Sequence, residues 1–245
     1  MFFGLTEEQE MIVGTVRSFV ENEIYPHENL VESKGSVPTE IAQDIKQKCI
    51  NLGFYACNFP ENIGGAGLNH LDFALVEREL GRGSMALTHF FRRPQNILMA
   101  CKDEQIEKYL LPAVRGEVMD ALAMTEPDAG SDVRGMKCFA KSEGKDWIVN
   151  GTKHFISGAE HADFVIVFIA TGEEKTEKGP KKKITAFLVD RGTPGFVIRG
   201  GYNSVSHKGY KNMILEFDDC RLPKEQVLGE VHGGFEVMNT WLYAT

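Results

Sequence analysis

The hydrophobic pattern changes period near Met119, and this change limits the fold more than any other feature of the chain. Before it, apolar residues recur at three- and four-residue spacing, as on one face of a helix. Ile12, Val16, Phe19, Val20 and Ile24 form the first series. Thr6 with Gln9 is a capping box that starts it, and Pro26 is expected to close it. A second helix should begin near Pro38, bury Ile41, Ile45, Cys49 and Leu52, and end at Gly53. A glycine-rich loop covers 59–67. Asn69 is placed to cap a helix through Leu80 to Gly81. Further helical patterns run over 85–99 and 103–111, with Pro112 beyond.

After Met119 the residues of 136–142 alternate, Gly144 turns, and 147–149 continues as a strand. Asn150-Gly151 reads as a hairpin turn. Segments 152–156, 164–170, 184–189 and 214–217 read as strands, and the charged insert 172–183 as a solvated loop. Short strands separated by turns suggest a β-barrel or a sandwich. A helical pattern returns with Phe235, Met238, Trp241, Leu242 and Thr245, without a cap or breaker after it. A helix with that much apolar surface packs on something. The sequence is therefore expected to be the front part of a longer protein.

The net charge of −8 and the absence of a basic face argue against general nucleic-acid binding. The lysines of 172–183 are nearly balanced by glutamates. Cys49, Cys57, Cys101, Cys138 and Cys220 are scattered and odd in number, as expected of buried thiols in a reducing compartment. The first residues lack the basic start and long apolar core of a secretory signal, and no segment approaches membrane-spanning length.

Two motifs carry chemistry. The run Thr125-Glu126-Pro127-Asp128-Ala129-Gly130-Ser131-Asp132 follows the apolar Ala121-Leu122-Ala123. A strand ending in such a turn offers N–H groups and hydroxyls to an acceptor-rich ligand or a phosphate, although most polar turns are only turns. Downstream, Asn150-Gly151-Thr152-Lys153-His154-Phe155-Ile156-Ser157 puts an aromatic and a hydroxyl two residues apart, on one strand face. This suits the wall of a flavin ring. Taken alone, the motif reads more simply as a hairpin with Phe155 in the core.

Together, and in collinear order, these motifs resemble the acyl-CoA dehydrogenase family. The resemblance includes Leu5-Thr6-Glu7-Glu8-Gln9, Pro60-Glu61 with Gly64-Gly65-Ala66-Gly67, and Asp103-Glu104-Gln105 with Lys108-Tyr109-Leu110. It continues through the 125–132 run, Asn150-Gly151-Thr152-Lys153, Pro223, Leu228-Gly229 and Gly234-Phe235. It implies an α+β fold. A helical N-terminal domain (1–118) would precede a β-barrel middle domain (119–230) and the first helix (231–245) of a C-terminal helical bundle. It also implies FAD. Leu122, Met124, Thr125, Gly130 and Ser131 would line the pyrimidine side of the ring, and Phe155, Ile156 and Ser157 would cover it near N5. Ser131, Tyr243 and Thr245 would lie near the acyl-CoA. Phe155 and Ser157 stand where the family usually has Trp and Thr. Tyr243 replaces a common Asp, and Ser206-His207-Lys208-Gly209-Tyr210-Lys211-Asn212 departs from a usual Gly-x-Arg-x-Ser-x-Thr pattern.

The implied reaction is α,β-dehydrogenation of an acyl-CoA thioester, with electrons passed to an electron-transfer flavoprotein. A carboxylate base removes the α-proton while the β-hydrogen leaves as hydride. The base is expected in the C-terminal domain, because Thr245 cannot serve and the family gives Glu126 no such role. Glu126 reads instead as a structural carboxylate bonding the backbone of its turn. By the same resemblance the full-length protein would be a homotetramer or homodimer in the cytoplasm, or in the mitochondrial matrix of a eukaryote. The 245 residues alone should hold FAD weakly and be inactive. Arg92-Arg93, in a stretch read as helical, could pair with a polar acyl group, but a structural role is the commoner use of such a pair. His154, His161 and His207 lack metal-ligand spacing. The competing readings are a flavin oxidase or monooxygenase of the same fold, and a non-catalytic binding or assembly domain.

Overall fold

The structure, a computed structural model, describes residues 4–177 and 179–244, with the side chains of 241, 243 and 244 excepted. The chain forms two compact units. The first takes the chain up to Arg93 with Val114–Gly116 and Asn203–Tyr210; the second takes Pro94–Ala113, Glu117–Tyr202 and the chain from Lys211 on.

The first unit is helical. Helix α1 (Glu7–Phe19) starts at the predicted capping box: Gln9 N–H donates to Thr6 Oγ1 (3.2 Å) and Thr6 N–H to Gln9 Oε1 (3.1 Å). Pro26 does not end this segment. A π-helical turn (Val20–Ile24) runs directly into α2 (Tyr25–Lys34), and Pro26 sits in the first turn of α2, where a missing N–H is harmless. Helix α3 (Thr39–Asn51) buries Ala42, Ile45 and Cys49. Ile41 is only half-buried, and Leu52, beyond the last turn, is exposed. Helix α4 (His70–Leu80) is capped by Asn69, whose Oδ1 accepts from Leu71 and Asp72 N–H, both at 3.0 Å. The helix expected over 85–99 is reduced to α5 (Met85–Thr88) and a 3₁₀ turn (Asn96–Ala100). Pro94 disfavours helical backbone at Arg93, the residue before it, and both Arg92 and Arg93 lie outside any helix or strand.

In the second unit a π-helical turn (Ile106–Leu110) continues into α6 (Leu111–Val114), so Pro112 lies within a helix and not beyond one. Eight strands follow: β1 (Asp120–Ala123), β2 (Phe139–Glu143), β3 (Asp146–Ser157), β4 (Phe164–Thr176), β5 (Gly179–Asp190), β6 (Phe196–Asn203), β7 (Lys211–Pro223) and β8 (Val227–Leu228). They make one curled sheet in the order β6-β7-β3-β2-β4-β5-β8, with β1 parallel to β4 off this path. Val149, Val165, Val167, Ile169, Phe187, Val189, Leu215 and Leu222 build its core. Helix α7 (Gly234–Ala244) ends the described chain. Thr245 and the Tyr243 side chain lie outside the described residues.

Two expectations about strands are overturned. Asn150-Gly151 is not a hairpin turn but part of β3. The turn between β2 and β3 is at Gly144, where φ is 64°. Gly151 is demanded by closeness: a Cβ there would lie 2.6 Å from Cys138 Cα. Asn150 instead pairs with Asp219 across a bulge in β7, donating to its Oδ1 (3.0 Å) and accepting from its N–H (2.9 Å). The insert 172–183 is no loop either. It extends the β4–β5 hairpin, pairing Glu173 with Lys182 and Glu174 with Lys181. Opposite charges directly across an antiparallel pair favour the ladder although its side chains face solvent.

Candidate functional site

Three consecutive residues of β3 organise the site. The β3–β7 register runs Lys153 opposite Leu215 and then Ile156 opposite Met213, so β3 carries one extra residue at 154–155. This bulge compensates the one at Asp219 and restores the register beyond it. Lys153, fully buried, turns inward. Its Nζ donates to Glu126 Oε1 (2.7 Å) and to the Met124 carbonyl (3.0 Å). His154 N–H, released from the ladder, donates to the Thr125 carbonyl (2.9 Å). Phe155 is then thrown outward at φ 57°, the residue 51% exposed. A bulky residue in left-handed backbone is a true outlier, of the kind that gathers at functional sites. The expectation of a core Phe in a hairpin is therefore corrected on both counts.

The 125–132 run is rigid at its base. Glu126 and Ala129 exchange both backbone hydrogen bonds (2.9 and 3.2 Å), closing a tight turn. The Glu126 carboxylate accepts from the N–H groups of Lys137 (2.5 Å) and Cys138 (3.1 Å) besides Lys153. It is the structural carboxylate that was expected, buried and held by three N–H donors. Asp132 caps a following 3₁₀ turn through Arg134 N–H (3.1 Å). Lys137 pairs with Asp128 at 2.6 Å and holds its carboxyl below the usual range.

Around this base, Leu122, Met124 and Thr125 are half-buried, and Gly130 and Ser131 are exposed. No hydrogen bond to either the Thr125 or the Ser131 hydroxyl occurs among the described residues. Phe155 and Ser157 are exposed, whereas the Ile156 side chain between them is in the core. Two residues not assigned to this site from the sequence complete the outer face. Tyr202 of β6 lies 4.5 Å from the Phe155 ring, which also packs on His154 at 4.3 Å. Asn212 of β7 accepts from Ser157 Oγ at 2.8 Å. Tyr202 comes from a segment without a local motif, and Asn212 ends the 206–212 segment, which was read as a departure from the family pattern and not as part of this face. Lys153 was also passed over. Its parity with Val149 on β3 would have marked it as facing inward, in need of an acid. An exposed aromatic ring beside available hydroxyls is a donor set that fits a planar, acceptor-rich cofactor such as FAD.

Arg93 forms an ion pair with Glu77 and its guanidinium lies 4.6 Å from the Phe73 ring centroid. Arg92 is 6% exposed and its carbonyl accepts from Ala56 N–H. All five cysteines are reduced and buried; burial pushes Cys57 and Cys220 up to about 11, Cys101 and Cys138 up to about 12, and raises Cys49 as well. No group of His, Cys, Asp and Glu able to hold a metal occurs among the described residues, and no described helix is long and apolar enough to cross a membrane.

Comparison with known proteins bears on this geometry. Family models for the acyl-CoA dehydrogenase N-terminal and middle domains match residues 6–117 and 121–220. The human mitochondrial short-chain specific acyl-CoA dehydrogenase is 34% identical over 95% of this chain and 56% of its own length. The caffeyl-CoA reductase–Etf complex subunit of Acetobacterium woodii is 32% identical over 96% of this chain and 61% of its own. A glutaryl-CoA dehydrogenase from Mycobacterium smegmatis, solved in complex with FADH2, superposes with a TM-score of 0.81 at 27% identity, covering 98% of this chain and 61% of that one. The chain thus spans less than two thirds of the length of these relatives.

Proposed function

Because the chain belongs to the acyl-CoA dehydrogenase family, we propose that it supplies the flavin wall of an FAD-dependent enzyme that forms an α,β double bond in an acyl-CoA thioester. The Phe155 bulge carries this reading. It presents an aromatic ring in costly backbone geometry next to Ser157, on a strand whose preceding residues grip the 124–126 backbone. When bound, FAD supplies the hydride acceptor. Leu122, Met124, Thr125, Gly130 and Ser131 would border one side of its ring, with preorganised donors placed for developing negative charge. Phe155 and Ser157 would cover it, and Ile156 would contribute only backbone. Ser131, Tyr243 and Thr245 remain the proposed contacts to acyl-CoA.

The base is assigned to the additional length that the relatives possess, since Glu126 is buried and held by three donors in its turn. The division into 1–118, 119–230 and 231–245 belongs to the same proposal. So do an electron-transfer flavoprotein as electron partner, a homodimeric or homotetrameric assembly, and a cytoplasmic or matrix location. The reductase among the relatives supports a second reading, hydride transfer in the opposite direction onto an enoyl-CoA.

The test uses the full-length protein. Stoichiometric FAD absorbance, bleached without oxygen by a saturated acyl-CoA, is expected. Recovery of that absorbance by an enoyl-CoA after reduction of the flavin with dithionite, with no bleaching by saturated substrates, would favour the reductase. Phe155→Ala should weaken FAD binding about tenfold, roughly 1.4 kcal/mol. A folded full-length protein that takes up no FAD would defeat both readings.

A further inference from the structure

His232 stands in left-handed backbone, at φ 67°, in the link between the sheet and α7. Glycine would hold that geometry without strain, so a histidine there is kept in place by its bonds. Strand β4 carries one extra residue at Thr171, because Ala170 lies opposite Ile184 and Gly172 opposite Lys183. Such a bulge re-aims a side chain. The Thr171 hydroxyl meets both Thr185 Oγ1 (2.6 Å) and His232 Nδ1 (3.0 Å). His232 N–H donates to Thr185 Oγ1 at 2.9 Å. One arrangement makes all three bonds and leaves no proton over. Thr185 gives its single proton to Thr171, and Thr171 gives its own to a bare His232 Nδ1. The three residues then close a ring that requires a neutral imidazole. We propose that His232 is a pH-sensitive latch, which holds the start of α7 on β5 while its ring is neutral and loosens it when the ring gains a proton. The latch needs no ligand, so it stands apart from the flavin reading.

Protonation reverses the last bond. Nδ1 then donates, and Thr171 accepts from both sides. Its own proton is left with the Lys183 carbonyl at 3.5 Å, longer than a normal O–H···O bond. Turning that proton toward Thr185 only moves the loss inward, because Thr185 is fully buried. Charge acts in the same direction. Burial of the inner ring edge over Gly172, and after it the Lys183 ammonium, hold His232 below its ordinary value of 6.5. A base lowered in this way stabilises the latch above its ordinary value, and the latch weakens as pH falls through the lowered one. The other charged groups around it among the described residues are Glu173 of β4, Lys182 of β5, Lys141 of β2, Glu230 before it and Glu236 in α7. Carboxylates and ammonium groups ordinarily keep their charge between about pH 5 and 8, where an imidazole changes its own. The latch acts where α7 meets the sheet. Gly233, next to it, bridges to Ile184, and a Cβ on Gly234 would lie 2.8 Å from the Ile184 carbonyl oxygen. Loosening there reaches the first turn of α7, where Val237 N–H donates to the Gly233 carbonyl at 3.2 Å.

The experiment follows the full-length protein from about pH 8 to about pH 5 by hydrogen exchange, read as protection factors over 230–238. Wild-type protection should fall about threefold across that range, the size of one weakened hydrogen bond. His232→Asn keeps an acceptor near the Nδ1 position and tolerates left-handed backbone. Its protection should not vary with pH. His232→Gly relieves the backbone but removes the ring, so its protection should also be independent of pH and lie below that of His232→Asn. Imidazole carbon resonances give a second readout, with the His232 signal identified by its loss in His232→Asn. Thr171→Val, a good strand former, should move the His232 titration up toward its ordinary value. Wild-type protection that does not change with pH would overturn the latch. So would a pH dependence that survives in His232→Asn or His232→Gly. An unmoved His232 titration in Thr171→Val, with the sheet intact, would show that the hydroxyl does not hold the ring, and would overturn it as well.

Discussion

Glu79 in the helical unit and Glu126 in the sheet unit are both nearly sealed, 2% and 3% exposed, yet they are neutralised in opposite ways. Glu79 is met from outside. Arg17 reaches it with two bonds (3.0 and 3.2 Å), Arg78 with another at 2.8 Å, and Arg82 lies 3.8 Å away. All three guanidinium side chains are about half exposed, so the charge stays in contact with water. Glu126 is met from inside, by a lysine with no exposure and by two backbone N–H groups. The first arrangement ties α1 to α4 and tolerates loss of one member. The second is closed off from solvent by burial of both partners, and it fixes the backbone of the residues that shape the candidate site.

The comparison can be broken most severely at Lys153. Lys153→Met leaves Glu126 as a buried, uncompensated charge and should cost about 3–5 kcal/mol in denaturant unfolding. It should also release the Met124 carbonyl, so FAD affinity of the full-length protein should fall with stability. A loss below 1 kcal/mol would show that water reaches Glu126. Glu79→Gln should cost less, about 1–2 kcal/mol, because the arginines can be solvated when their partner changes.

Glu79 also makes the stability of the helical unit depend on pH. The Arg17 hydrogen bond holds Glu79 below its ordinary value of 4.5. A carboxyl depressed in the folded state stabilises it above that ordinary value, and the stability is lost as pH falls through the folded value. Glu79→Gln should therefore flatten the melting temperature below pH 4.5 and leave a constant offset at neutral pH. An identical acid limb in wild type and variant would remove Glu79 from the explanation. The smallest effect is ionic. Between low and 1 M salt, the stability difference between Glu79→Gln and wild type should shrink by a few tenths of a kcal/mol, because exposed guanidinium groups are screened. The Lys153→Met difference should not change.

Much of the helical unit was legible because its signals are local. The Thr6–Gln9 box and the Asn69 cap each need only three or four residues to work, and both stand where they were read. Pro26 and Pro112 misled because each falls in the first turn of a helix that directly continues a π-helical turn, where a missing N–H is harmless and the chain does not stop. Asn150-Gly151 misled for a related reason. The same dipeptide that favours a two-residue turn also fits a strand in which Gly151 must pass Cys138 and Asn150 must pair with Asp219, 69 residues away. The insert 172–183 was read as a loop from its charge, but pairing across the hairpin turned the charges into support.

The sequence by itself determined the switch from helices to strands near residue 119, the family, and the two motifs from which the site is made. Those are set by spacing along the chain. Only the tertiary structure decided what the motifs do to one another. A one-residue bulge buries Lys153 against Glu126, frees His154 N–H for Thr125, and throws Phe155 outward. It also sets Ser157 opposite Asn212, 55 residues further along the chain, whose amide oxygen accepts from the Ser157 hydroxyl. Strand register is a long-range property, and a shift of one residue reverses every side chain beyond it.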